Sequence, residues 1–256
     1  MTARKNLAPP VDERVIERTR RNIAWGFAAF IVLLTGAGIL YALGVFDGPA
    51  KAGDDYTRIA GATAPAAGEV INVVEYFSYS CPHCKEFDPQ VEDFRNDLPP
   101  GVTFKRTPVV FGNLQQELQA RTYLALDAAG ALEDNHSRIF KALHVDGRRL
   151  ETAQAMAEFV DGHGVVAPAF LRMLNSGAVS ARLRAAQRAQ QADGISSIPS
   201  LVVGGTYLIE IGKVGRAQAL KIARGLAEQM HNGIDPGAGA ATTPAAATDA
   251  HSTAKP

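Results

Sequence analysis

The sequence predicts an α/β domain that contains an inserted block of helices and is preceded by one transmembrane helix. Three observations carry this prediction. Residues 23–46 contain no charged side chain. Strand and helix patterns alternate on both sides of residues 113–193. That intervening block is rich in alanine and punctuated by glycine, which indicates several short helices.

The uncharged stretch at residues 23–46 is long enough to cross a bilayer as one helix. At about 1.5 Å per residue it reaches ~36 Å, which exceeds the ~30 Å hydrocarbon core. Trp25 and Tyr41 lie near its ends, where interfacial aromatic residues occur. Residues 1–22 carry six basic and three acidic side chains. The positive-inside rule therefore predicts a single-pass protein of the inner membrane, with this basic segment in the cytoplasm and everything after Phe46 exported.

A cleaved signal peptide is the competing interpretation of the same stretch. Ala50-Lys51-Ala52 offers small residues at an A-x-A-like site, and cleavage near Ala52 would release a soluble periplasmic domain. The apolar segment is longer than the roughly 7 to 15 residues of a signal-peptide core, which favours an uncleaved anchor. Both interpretations place the following domain in an oxidising compartment, where a disulfide can persist.

Composition divides the exported part into three segments. Residues 47–55 are small and polar and predict a linker, whereas residues 56–232 have the apolar periodicity of one substantial core. Residues 233–256 are mostly alanine, threonine, glycine and proline. Such a segment buries too little surface to offset the entropy lost on ordering, so we expect a disordered tail. The formal net charge is zero, which gives no support for nucleic-acid binding.

The first half of the domain has the pattern of a β-α-β unit. Residues 70–79 are largely apolar and rich in β-forming residues, as expected of a central strand. Residues 102–111 begin with the alternation of a second strand. A helix is predicted between them, because large apolar residues recur at i, i+4, i+7 and i+11: Phe87, Val91, Phe94 and Leu98. This order predicts a right-handed unit with two parallel strands.

After the helical block, the sequence predicts a β-hairpin and a closing helix. Two short apolar runs, residues 201–203 and 207–209, flank Gly204-Gly205-Thr206, a glycine-bearing connection of the kind that joins antiparallel strands. The closing helix is marked by apolar residues at helical spacing: Ala219, Ile222, Ala223, Leu226 and Met230.

The only two cysteines of the chain lie three positions apart in Cys81-Pro82-His83-Cys84, between the first predicted strand and its helix. This position puts the Cys81 sulfur at a helix N-terminus, where unpaired backbone amides and the helix dipole stabilise a thiolate. Pro82 suits the first helical position, which exposes Cys81 and leaves Cys84 deeper. His83, when protonated, adds a positive charge beside the thiolate. The motif predicts a redox dithiol with Cys81 as nucleophile.

The motif and its surroundings resemble the DsbA-type thiol:disulfide oxidoreductases. The resemblance is carried by residues 75–84, Glu-Tyr-Phe-Ser-Tyr-Ser-Cys-Pro-His-Cys, which are followed by Phe87, and by Ile198-Pro199-Ser200 before the hairpin. It covers roughly residues 56–230. It implies a thioredoxin-like fold with an inserted helical subdomain, in which the proline matching Pro199 is cis and packs against the active-site disulfide.

The resemblance also implies an activity, namely the oxidation of exported proteins that carry free thiols. A mixed disulfide would form at Cys81 of a Cys81–Cys84 redox disulfide, and Ile198, Pro199 and Ser200 would pair with the extended substrate. A membrane DsbB-type, quinone-linked protein would restore the disulfide. No cofactor is implied for this chain itself. Ile198 before the proline is the apolar β-branched residue that the oxidase branch uses.

Two acidic residues near the motif have alternative roles. Glu75 is an ionisable group in a strand that looks buried, so its pKa would be raised unless it is paired. It either relays a proton to Cys84, as the acidic residue at the matching family position suggests, or pairs with Lys105 or Arg106 as a satisfied core charge. Asp88 stands where the resemblance also expects an acid, with a surface carboxylate near a helix N-terminus as the alternative.

Other functions compete with oxidation. A disulfide reductase or isomerase uses the same motif, although such relatives usually carry a separate dimerisation module and we see none before Tyr56. A membrane-anchored metal carrier could use the two sulfurs as soft ligands. A structural zinc site needs four ligands, and histidines such as His136 and His144 of the helical block would have to complete it, so we expect no metal.

Overall fold

The computed structural model describes residues 13–42 and 50–237 of the chain. The chain divides into two units, residues 1–49 and 50–256, and each is considered by itself. The predicted boundaries inside residues 1–12, 43–49 and 238–256 lie outside the described residues.

The first unit contains helix α1 (Glu13–Ala42). Its segment Arg20–Leu40 is apolar and long enough to cross a membrane. Most large apolar side chains on this segment are more than half exposed, among them Trp25 and Leu33. The helix begins ten residues before the predicted span, because residues 13–22 are mostly charged residues and other helix formers without a break. The observed helix is a candidate membrane span.

The second unit is built on a five-stranded sheet with the strand order β1-β5-β4-β2-β3. The strands are β1 (Thr57–Arg58), β2 (Ile71–Phe77), β3 (Val102–Pro108), β4 (Ser200–Val203) and β5 (Tyr207–Glu210). β2 is parallel to β3 and antiparallel to β4, and β5 is antiparallel to both β4 and β1. The predicted parallel pair and the predicted hairpin are therefore both present.

Strand β2 occupies an interior position of the sheet, which explains its largely apolar sequence. Its residues Ile71, Val73 and Phe77 are buried, and Tyr76 is buried as well. Helix α2 (Pro82–Asn96) connects β2 to β3 and packs Phe87 into the core. The parallel register sets Glu75 of β2 beside Arg106 of β3. This register determines which basic residue forms an ion pair with Glu75.

The predicted helical block consists of five helices. They are α3 (Leu114–Ala128), α4 (Leu132–His144), α5 (Ala153–Val160), α6 (Ala167–Leu174) and α7 (Gly177–Ala192). Side chains of Asn113, Thr152 and Ser176 cap three of them by accepting backbone N–H groups. Buried residues of α3 to α7 form one apolar cluster with Phe77 and Tyr79, so the block packs onto the end of β2.

Two helices, one of them short, complete the unit. The closing helix α9 (Arg216–His231) buries the predicted apolar face, and the short α8 (Ile211–Val214) precedes it. Neither α8 nor the two-residue strand β1 is predicted by the sequence, because elements of two to four residues carry no readable periodicity. Asp235 forms an ion pair with Arg58 at 2.7 Å, so the chain is in contact with the domain beyond residue 232.

Candidate active site

The Cys-Pro-His-Cys motif forms the beginning of helix α2. Cys81 is the N-cap residue, with an extended backbone, and Pro82 is the first helical residue. The backbone N–H of Cys84 donates to the Cys81 Sγ atom at 3.4 Å. Cys81 is half-buried, Cys84 is fully buried, and both are free thiols. This arrangement is the one that the motif predicts.

The two thiols have opposite acidities. A hydrogen bond from the Cys84 thiol is the main cause that lowers the pKa of Cys81 from 9.0 to about 6; burial opposes it, and the backbone amides of Cys84 and His83 and the charge of His83 assist it. Burial is the main cause that raises the pKa of Cys84, and its hydrogen bond to Cys81 adds to the effect. At neutral pH the dithiol therefore holds its negative charge on Cys81.

His83 lies on the exposed side of the motif. Its side chain is 75% exposed, and its Nδ1 atom lies 3.7 Å from Glu86 Oε2. The same Glu86 oxygen accepts a hydrogen bond from Arg216 of α9 at 2.8 Å. The surface beside Cys81 thus carries a small network of charges that the sequence pattern does not reveal, because Arg216 is 130 positions away.

The segment Ile198-Pro199-Ser200 lies opposite the motif. The Ile198–Pro199 peptide bond is cis. The Cys81 Sγ atom lies 3.8 Å from the Ile198 carbonyl oxygen, whereas Pro199 and Ser200 are buried at the start of β4. A groove of about 640 Å³ runs beside the motif, with His83, Gln90, Ile198, Pro199, Ile211 and Arg216 in its lining. Of the three sequence-distant residues predicted to bind substrate, Ile198 therefore has its carbonyl oxygen beside the Cys81 sulfur, and Pro199 lines the groove next to it.

A buried ion cluster lies behind the motif. The Arg106 Nε atom donates to Glu75 at 3.0 Å, and its Nη2 atom donates to Asp88 at 3.2 Å and Glu92 at 2.7 Å. Glu75, Asp88 and Arg106 are all buried. Of the two predicted partners of Glu75, the structure selects Arg106, while Lys105 is exposed. Asp88 is not the surface carboxylate considered as one alternative, because α2 turns it inward against Arg106.

The pKa values of the two buried acids in the cluster are shifted in opposite directions. Burial is the largest influence on Glu75 and raises its pKa to about 7, although Arg106 opposes this. Burial raises the pKa of Asp88, but the neighbouring His136, a hydrogen bond from Ser137 and the charge of Arg106 together hold it below its usual value. The charge of Glu75 contributes to the raised pKa of Cys84, which couples the cluster to the redox pair.

Two histidines of α4 hold Tyr79, which lies two residues before the motif. His136 Nδ1 lies 2.9 Å from the Tyr79 hydroxyl, and His144 Nε2 lies 2.7 Å from the Tyr79 carbonyl oxygen. The sequence suggests these two histidines only as ligands that could complete a zinc site. Their spacing of eight residues is a weak signal, and their contacts depend on how the helical block packs. Within residues 13–42 and 50–237, no three His, Cys, Asp or Glu side chains are grouped to hold a metal ion.

Comparison with known proteins agrees with this geometry. Residues 101–221 match the model of the DSBA-like thioredoxin domain family. The thiol:disulfide interchange protein DsbA of Azotobacter vinelandii is 37% identical over 180 residues, which cover 70% of this chain and 84% of the relative. DsbA of Pseudomonas aeruginosa is 33% identical over 179 residues, with the same coverage.

Solved structures show the same fold. The crystal structure of Pseudomonas aeruginosa DsbA superposes with a TM-score of 0.65 at 32% identity and covers 70% of this chain and 94% of its own. The crystal structure of oxidoreductase DsbA from Xylella fastidiosa gives a TM-score of 0.65 at 30% identity, with coverages of 71% and 98%. The predicted thioredoxin-like fold with an inserted helical subdomain is confirmed.

Proposed function

Because the chain belongs to the DsbA family of thiol:disulfide oxidoreductases, we propose that it is an oxidase that introduces disulfide bonds into exported proteins. The observation that carries this proposal is the asymmetry of the two thiols. Cys81 is accessible with a pKa of about 6, whereas Cys84 is buried with a raised pKa. A stabilised Cys81 thiolate favours the reduced protein, and a favoured reduced state makes the disulfide oxidising.

The reaction begins when a substrate thiolate attacks the Cys81 sulfur of the Cys81–Cys84 disulfide. The substrate electron pair forms the new S–S bond, and Cys84 leaves with the electron pair of the broken bond. A second substrate thiolate then attacks the substrate sulfur of the mixed disulfide, and Cys81 leaves as a thiolate. A leaving group with a pKa of about 6 departs readily at neutral pH. The substrate is oxidised by two electrons, and the protein becomes a dithiol.

Glu75 supplies the proton that Cys84 needs in the first step. A buried Cys84 thiolate is unstable because burial raises its pKa, so it must be protonated as it departs. Glu75 is itself buried, has a pKa of about 7, and is electrostatically coupled to Cys84. A carboxyl group that is partly protonated at neutral pH is suited to donate and recover a proton in each cycle.

The groove beside Ile198 receives the substrate. Ile198 presents its carbonyl oxygen next to the Cys81 sulfur, and Pro199 and Ser200 lead directly into β4. An extended substrate that pairs with this backbone brings its cysteine to Cys81 without requiring a particular side chain. Pairing through the backbone suits an enzyme that acts on many exported proteins.

The apolar helix determines where the reaction takes place. If Arg20–Leu40 remains as a membrane anchor, the domain is held on the exported, periplasmic side of the inner membrane, in one plane with a DsbB-type, quinone-linked oxidant. That partner accepts two electrons from the Cys81–Cys84 dithiol and restores the disulfide. Cleavage near Ala52 would instead leave a soluble periplasmic enzyme.

Trapping the mixed disulfide tests the proposed function. With Cys84→Ser, no internal thiol can release a substrate that is bound at Cys81, so we expect adducts of exported proteins on non-reducing gels that disappear on reduction. Cys81→Ser is the matched control and should yield none. The purified wild-type chain should also oxidise a reduced dithiol peptide. Absence of both adducts and peptide oxidation would overturn the proposal.

A further inference from the structure

Two buried carboxyl groups share one buried cation near the redox pair. The side chains of Glu75 and Asp88 are 3% and 7% exposed, and that of Arg106 between them is 4% exposed. Glu92, the third partner of Arg106, is 30% exposed and therefore partly solvated. If Glu75 and Asp88 are both ionised, the buried cluster carries one uncompensated negative charge, which is unfavourable in a poorly solvated interior.

His136 is placed to compensate that charge. Its side chain is 5% exposed, its Nε2 atom lies 3.2 Å from Asp88 Oδ1, and its Nδ1 atom lies 2.9 Å from the Tyr79 hydroxyl. Among the described residues, Nε2 has no aligned hydrogen-bond partner. The Tyr79 hydroxyl can donate to a neutral Nδ1 atom, or rotate and accept from a protonated one. The surroundings of His136 therefore accommodate both of its protonation states.

The charged and titratable groups around His136 include some that favour its protonated form and some that favour its neutral form. Asp88 favours the imidazolium, whereas burial and Arg106 lower the pKa of His136, and burial is the largest of these influences. Glu133, on the same helix as His136, is one turn away at the surface. From the other elements, the groups that face or act on His136 are Tyr79, Asp88, Glu92, Arg106 and Tyr123. Glu75 is connected to His136 through Arg106, which pairs with both Glu75 and Asp88.

We propose that Glu75 and His136 share one proton, so that His136 is a positioning residue that acts on Cys84 through Glu75. The net charge of the four buried groups is zero when the proton is on Glu75, because the Asp88 carboxylate then balances Arg106 and His136 is neutral. The net charge is also zero when the proton is on His136, because two carboxylates then balance Arg106 and the imidazolium. Loss of the proton from Glu75 thus raises the affinity of His136 for a proton, and the converse holds equally.

This inference rests on the proposed function where it concerns the reaction. When the disulfide opens, Cys84 leaves as a thiolate and takes a proton from Glu75. The ionised Glu75 then leaves the cluster one negative charge in excess, and His136 binds a proton from the solvent. The protein takes up one proton from the solvent in total. Cys84 gains the proton that Glu75 loses, and His136 gains the proton that comes from the solvent. The cluster recovers its zero charge without leaving Cys84 ionised.

Histidine and carboxyl NMR titrations of the full chain in detergent micelles, in the dithiol state, test the shared proton. His136→Gln identifies the His136 ring signals, and Glu75→Gln identifies the Glu75 carboxyl carbon. We expect both groups of the wild-type protein to titrate with a common first midpoint, each by only part of its full amplitude. In His136→Gln, the Glu75 signal should change to a single step of full amplitude. His163→Gln, an exposed histidine in a loop, is the matched control and should alter neither signal.

A His136 ring that stays neutral between about pH 5 and 9, together with a single Glu75 step in the wild-type protein, would overturn the inference. If a glutamine variant fails to fold, its signals are assigned in the wild-type protein by through-bond NMR experiments, and the wild-type titration then decides the matter. These signals do not depend on turnover. A wild-type chain that shows shared titration but exchanges no disulfides would refute the proposed function and leave the shared proton in place, whereas active exchange without shared titration would refute only the inference.

Discussion

Replacing Glu75 by glutamine should stabilise the protein at alkaline pH and not at acid pH. Glutamine has the size of glutamic acid and does not ionise, so Glu75→Gln resembles the protonated carboxyl group that the buried site favours. The reason lies in linkage: the pKa of Glu75 is raised from 4.5 to about 7 in the folded protein. The stability that the protonated group contributes is complete below about pH 4.5 and is lost as the pH rises through about 7.

The size of the effect follows from that difference in pKa. A shift from 4.5 to about 7 is roughly 2.5 units, and each unit corresponds to about 1.4 kcal/mol. The side chain is 3% exposed, so solvent screens little of this energy. Compared with the wild-type protein, Glu75→Gln should therefore gain about 3 kcal/mol in the free energy of unfolding between pH 4.5 and pH 8, as an order of magnitude.

Guanidinium unfolding of the reduced chain in micelles, followed by circular dichroism, provides the assay. The single tryptophan, Trp25, lies in the apolar helix and does not report on the domain. Glu92→Gln is the matched control, because Glu92 also contacts Arg106 but is 30% exposed, and ion pairs of such exposure contribute only about 0–1 kcal/mol. An equal stability difference between Glu75→Gln and wild type at both pH values would refute the reasoning.

Three further predictions concern the redox pair and the buried ion cluster. Alkylation of Cys81 in the reduced protein should reach half of its maximal rate near pH 6, because its pKa is about 6, and a midpoint near 9 would contradict the structure. Arg106→Met should lower the free energy of unfolding by about 3–5 kcal/mol, since it leaves buried carboxyl groups unpaired, while Arg95→Met at a partly exposed pair should cost below about 1 kcal/mol. Equal losses would show that burial of the cluster does not matter. Cys84→Ser should accumulate mixed disulfides and Cys81→Ser none, as non-reducing gels would show.

The fold was predictable where local patterns are strong. The strand that becomes β2, the apolar face of α9 and the Gly204-Gly205 hairpin each carry a periodicity or turn signal that tertiary contacts do not override. Strand β1 pairs only two residues with β5, and no local pattern encodes so short a contact. The helical block was predictable as helices, but its number of helices and their packing depend on long-range burial.

The site was predictable in its sulfur chemistry and only partly in its electrostatics. Cys81 and Cys84 lie only three positions apart in the sequence, so a helix N-terminus suffices to explain their different burial. The partner of Glu75 could be narrowed to Lys105 or Arg106, and the parallel register then selects Arg106. The approach of His136 to Asp88 depends on how α4 packs against α2, which no spacing in the sequence specifies.

The redox potential of the Cys81–Cys84 pair tests the oxidase assignment most directly. The full chain would be equilibrated with glutathione buffers over a range of pH values and the disulfide fraction measured. We expect a potential well above the roughly −270 mV of thioredoxin at pH 7. A plot of the potential against pH should change slope near pH 6, from about 59 to about 30 mV per pH unit. The reason is that reduction takes up two protons below the pKa of Cys81 and one above it. A potential at or below that of thioredoxin would contradict the assignment and indicate a reductase.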